Sequence, residues 1–80
     1  MDSAEFLNRF SINLHNKLKE KGINSYQLAQ RTGIAVRSIN GYVNGYHMPN
    51  AYYIAVIAEA LCCSTEDLIG LTELQGVCYV

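Results

Sequence analysis

The spacing Ala29, Gly33, Ile34, Ile39, Tyr42 limits what this chain can fold into more than any other feature. A small residue at Ala29 lets one helix cross close to another. Gly33, four positions on, can take the positive φ of a sharp turn, while Ile34 and Ile39 fill the wedge between the helices. Two short helices joined by a tight turn satisfy all of these positions together, which is the helix-turn-helix pattern. The flanks agree: Asn24 caps the first of the two helices with Gln27 at its third position, and Gly33 stops it. The second runs from about Val36 to Asn44 and closes at Gly45. It sets Ile39, Tyr42 and Val43 on one side and Val36, Arg37, Asn40, Gly41 and Asn44 on the other. That outer face is polar, small and mixed.

Three more helices surround the pair. Phe6, Phe10, Leu14 and Leu18 recur every four residues between Ala4 and Lys21, giving a first helix with one apolar stripe. Asp2 with Glu5 predicts a capping box at its start, and Gly22 its end. Gly45 to Pro49 is a loop, because a helix does not readily continue into the residue before proline. Asn50 caps a fourth helix, Ala51 to Leu61, with Ile54, Ile57, Ala58 and Leu61 inward, and Ser64 with Asp67 caps a short fifth through Leu68 and Ile69. The stretch from Leu71 to Val80 reads differently: Val77-Cys78-Tyr79-Val80 is rich in strand formers, so a terminal strand or an apolar arm is expected. The expectation is an all-α, compact five-helix domain over residues 1–70, with a C-terminal tail over 71–80.

Eighty residues cannot support two separate cores, and half of them are hydrophobic, so a single packed domain is expected. The longest apolar run, Ala51 to Ala58, is about half of a bilayer span, and the chain opens with Asp2 and Glu5 rather than a basic leader. No membrane association or secretion is expected. Cys62, Cys63 and Cys78 form no paired C-x-x-C motif, so a reducing cytoplasm is the simpler home, with no metal and no cofactor. Catalysis lacks its parts: His15 and His47 lie 32 positions apart, no glycine-rich phosphate loop is present, and no nucleophile sits beside an evident base. The net charge of -1 hides an asymmetry. All six basic residues and a single acid, Glu20, lie between Phe6 and Ala58, which makes that segment +5 and the two ends together -6. A face built from the middle of the chain can be locally positive.

From Ser25-Tyr-Gln-Leu-Ala-Gln-Arg-Thr-Gly33 through Ile39, Gly45, Pro49, Ile57-Ala58, Leu61, Ser64 and Leu68, the chain resembles the Cro/repressor-type, lambda-repressor-like DNA-binding family over roughly residues 6 to 70. Many members of that family pair an Arg in helix one with a Glu near the end of helix three. Here Leu18 and Val43 stand at the two places, and their joint replacement implies that they meet. Ala35 stands where the family usually has a Ser or Thr cap.

The resemblance implies a DNA-binding transcriptional regulator, a repressor acting as a homodimer, with the third helix in the major groove. Arg37 is then the expected reader of guanine and Asn40 of adenine; Val36 is expected at a thymine methyl, and Gly41 at a position without a side chain to read with. Phosphate contacts are expected from Asn24, Ser25, Ser38, Asn44, Tyr46 and His47, and dimerisation from Leu71, Leu74, Val77 and Tyr79. A protein-interaction module of the same fold, binding a protein partner as an antitoxin or a partner of another regulator does, is the alternative.

Overall fold

In the computed structural model, which describes residues 2–70, the chain folds into α1 (Ser3–Lys21), α2 (Ser25–Thr32), α3 (Val36–Val43), α4 (Ala51–Ala60) and α5 (Thr65–Ile69). These match the expected five helices. Asn44 and Leu61, expected inside α3 and α4, are instead the capping residues just after them. None of the helices is long and apolar enough to cross a membrane. The expected strand or arm, with Leu71, Leu74, Val77 and Tyr79, lies outside the described residues.

Local side-chain hydrogen bonds start four of the five helices. Asn24 Oδ1 accepts from the Gln27 N–H at 2.8 Å while Gln27 Oε1 accepts from the Asn24 N–H at 2.9 Å, and Ser64 and Asp67 make the same reciprocal pair at α5. Asn50 Oδ1 accepts from the Tyr53 N–H at 2.7 Å. At α1 only half of the expected box is made. Asp2 accepts from the Glu5 N–H at 2.8 Å, but the Glu5 carboxylate lies 3.6 Å from Arg9 Nε, because a cation one turn along competes with the backbone amide. Only α3 begins without a side-chain cap: Ala35 offers its carbonyl alone, to the N–H groups of Ser38 and Ile39 at 2.9 and 3.1 Å.

The helix stripes converge on one core. Phe10, Leu14, Leu28, Ile39, Ile57, Leu61 and Leu68 are essentially fully buried, drawing on every helix and the end of α4, and burial of each such side chain contributes roughly 1.5–3 kcal/mol. Phe6 stacks on Phe10, Phe10 meets the edge of Tyr42 at 6.3 Å, and Tyr42 leans on Tyr53 at 6.4 Å, so an aromatic row ties α1 to α3 and α4. Burial, with a smaller effect of Tyr53, raises the Tyr42 hydroxyl above the usual phenol range.

The turn between α2 and α3 has its own fastening. Gly33 adopts φ +77°, and Thr32 Oγ1 donates to the Leu28 carbonyl at 2.9 Å while accepting from the Ile34 N–H at 3.2 Å. Between α1 and α5, Asn13 Nδ2 donates to the Leu68 carbonyl at 3.0 Å and Arg9 Nη1 to the Gly70 carbonyl at 3.4 Å. Two α1 side chains thus satisfy the carbonyls that end α5, where a cation is favoured. Arg9, part of the basic middle segment, is therefore engaged with α5 and Glu5. Lys17 is likewise paired with Glu20, at 2.9 Å.

Candidate nucleic-acid interface

With about 100° between successive residues of a helix, the exposed side chains of α3 fall on one arc. Val36, Asn40, Asn44 and Arg37 are all exposed, while Ile39 and Tyr42 face the core and Ser38 and Val43 sit half-buried at the two borders. Val36 and Arg37, in the first turn of α3 just after the Gly33 turn, are both exposed. The face therefore presents one planar, charged fork, one amide and one branched apolar group within a single turn, a set able to make both hydrogen bonds and methyl contacts.

Gly41 departs from the expected arrangement. The helical spacing sets it with Arg37 and Asn40 on the outer face, but it is buried. The loop after α3 folds back over it: the N–H groups of Tyr46 and His47 both donate to the Gly41 carbonyl, at 2.7 and 3.2 Å. The His47 ring then occupies the space into which a Cβ at residue 41 would project. Tyr46 itself is 77% exposed.

A shallow groove of about 620 Å³ opens beside Asn40, between the end of α1, the start of α2 and α3. Leu18, Ile23 and Val43 form its apolar floor, so the two residues that replace a charge pair of the family face one shared space. Its polar rim brings together Asn24, Ser25, Asn40 and Asn44, four of the residues singled out from the sequence, with His15 and Lys19, two that were not. Both additions are exposed. They follow Leu14 and Leu18 directly in sequence and so flank the buried stripe of α1, which is the signal that identifies them. Asn24 is largely spent on its capping box; its side-chain NH2 remains for another partner. Ser38, Tyr46 and His47 lie outside this groove.

Hydrogen-bond donors along the rim and the α3 arc outnumber acidic groups: among the described residues no Asp or Glu lines the groove, and the only acid of α1's second half, Glu20, is held by Lys17. Such a surface suits an anionic, extended ligand with edges to be read beside it. A family model for the Cro/C1-type HTH DNA-binding domain matches residues 13–73. No curated protein and no solved structure matches the chain.

Proposed function

Because the chain belongs to the Cro/C1-type HTH DNA-binding domain family, we propose that it is a sequence-specific transcriptional regulator, a repressor, that binds an inverted repeat as a homodimer. The observation that carries this reading is the exposed arc of Val36, Arg37 and Asn40 on α3, directly beside a donor-rimmed groove that, among the described residues, no acidic side chain lines. In the major groove, the Arg37 fork makes two hydrogen bonds to guanine O6 and N7, Asn40 pairs with adenine N6 and N7, and Val36 covers a thymine methyl. Phosphates lie along the rim, at Ser25, Asn24 and Asn44, with Lys19 and His15 adding positive or donor groups from α1, and with Ser38 and Tyr46 bordering α3. Dimerisation falls to the segment after α5, through Leu71, Leu74, Val77 and Tyr79, because a lone domain of this size reads too few base pairs for much specificity.

Selection from a random duplex library at moderate salt, with the wild type and with Arg37→Ala, tests this. The expected result is an inverted repeat with half-sites about one helical turn apart, and loss of a guanine preference in the variant. Absence of any enriched sequence refutes the reading. It leaves the protein-binding alternative, which the exposed Tyr46, Met48 and Tyr52 around the start of α4 favour.

A further inference from the structure

Resting on that DNA-binding reading, we propose that His47 is a specificity-determining residue, which reads a base pair in place of the side chain that Gly41 lacks. Gly41 lies one turn after Arg37 and about 40° round the helix from it, at the edge of the exposed arc. Side chains on a helix lean toward its N-terminus, so whatever stands on residue 41 projects back toward the level of Arg37. In this protein the group standing there is the His47 imidazole. A Cβ built on Gly41 would run into the ring at Cδ2, with Cγ and Nε2 next. The Cδ2 edge thus faces the helix, and Nδ1 lies on the opposite edge, directed away from it.

The ring is held in this place by the backbone. Two N–H groups, from Tyr46 and His47, converge on the one Gly41 carbonyl, the chain reverses at Gly45 with φ +77°, and Pro49 is buried two residues on. Few rotatable bonds remain between α3 and the imidazole, so little order has to be imposed when a ligand binds. His47 is exposed despite its contact with the helix. An imidazole N–H directed into the major groove donates to purine N7, or to guanine O6. The assignment moves His47 from phosphate contact to base reading. It also gives the glycine a role, since any larger residue at 41 would expel the ring.

The full-length protein tests this by library selection, followed by affinity measurements on the selected duplex and on single-base variants of it. Four proteins are compared: wild type, Arg37→Ala, His47→Ala and Gly41→Ala, with folding of each followed by thermal unfolding. His47→Ala should lose a purine preference at one base pair of each half-site, adjacent to the position affected by Arg37→Ala, and the discrimination there should fall about tenfold. Gly41→Ala should lose the same preference although it retains His47. If His47→Ala instead weakens every duplex alike, His47 contacts phosphate and the proposal is overturned. The same holds if Arg37→Ala shifts the selected sequence and His47→Ala does not. If the folded wild type selects no sequence at all, the DNA-binding reading falls and the assignment of His47 falls with it.

Discussion

Replacing Ala35 by Ser should raise the melting temperature, because α3 is the only one of the five helices that starts without a side-chain cap. A capping Ser in place of Ala stabilises a helix by about 0.5–2 kcal/mol. Two details of the structure put this site in the lower half of that range. The Ser38 N–H, the usual target, already bonds to the Ala35 carbonyl at 2.9 Å, so a new hydroxyl must share it, as the Asp67 N–H is shared between the Ser64 carbonyl and hydroxyl, both at 3.2 Å. Ala35 also sits at φ -57° and ψ 139°, whereas the capping residues of the other four helices have φ between -107° and -82° and ψ between 160° and 176°. Some of the gain is used in shifting the backbone. A net 0.5–1 kcal/mol corresponds to an increase of about 2–8 °C in a domain of this size. Ala35 is exposed, so the hydroxyl meets no steric obstacle. Thermal unfolding followed by circular dichroism measures the shift, with Asn50→Ala as the opposite control: it deletes a 2.7 Å cap and should cost about 1 kcal/mol. If Asn50→Ala melts lower but Ala35→Ser is unchanged or lower, the account of α3 as an under-capped helix is wrong.

Lys19→Gln should reduce the slope of log affinity against log salt by about 0.9, one phosphate contact; an unchanged slope would place the rim of α1 away from the duplex. Burial, with a smaller contribution from Asp67, raises the Cys63 thiol, while Cys62 is exposed. Iodoacetamide at neutral pH should therefore label Cys62 well before Cys63, and equal labelling by peptide mass spectrometry would contradict the packing at the end of α4. The hydrogen bond from Lys17 holds the Glu20 carboxyl below the usual range. Its stabilising effect is present at neutral pH and lost as pH falls through that lowered value, so Glu20→Gln should melt slightly lower than wild type at pH 7 and converge with it in acid. Water and salt screen the pair, so the gap at pH 7 should also shrink at high salt. A gap indifferent to both acid and salt would show that Glu20 acts through something other than Lys17.

Much of the architecture was legible along the chain. Asn24 with Gln27, Asn50 before α4, and Ser64 with Asp67 all work across three residues, and the structure makes each of these caps. Apolar residues spaced three and four apart similarly announced the stripe of Phe10, Leu14 and Leu18 and the inward face of Ile54, Ile57 and Ala58. At Glu5 the same local reasoning met a competitor, Arg9, one turn further on. Spacing alone does not rank two partners within reach of one carboxylate.

The local sequence therefore determined where the helices begin, which faces they bury and where the chain turns, since these depend on interactions within about one helical turn. It also placed Val36, Arg37 and Asn40 on one exposed arc. What only tertiary structure decided is which groups from different helices share a surface. Gly41 looks outward on its own helix; the return of the next loop buries it under His47. His15 and Lys19 join Asn24, Asn40 and Asn44 because α1 packs on α3, which in turn packs on α2, and Arg9 leaves the basic segment to close the end of α5 from 61 positions away. Such neighbours are set by the packing of whole helices around Phe10, Leu28 and Ile39, so no short window of the sequence contains both partners.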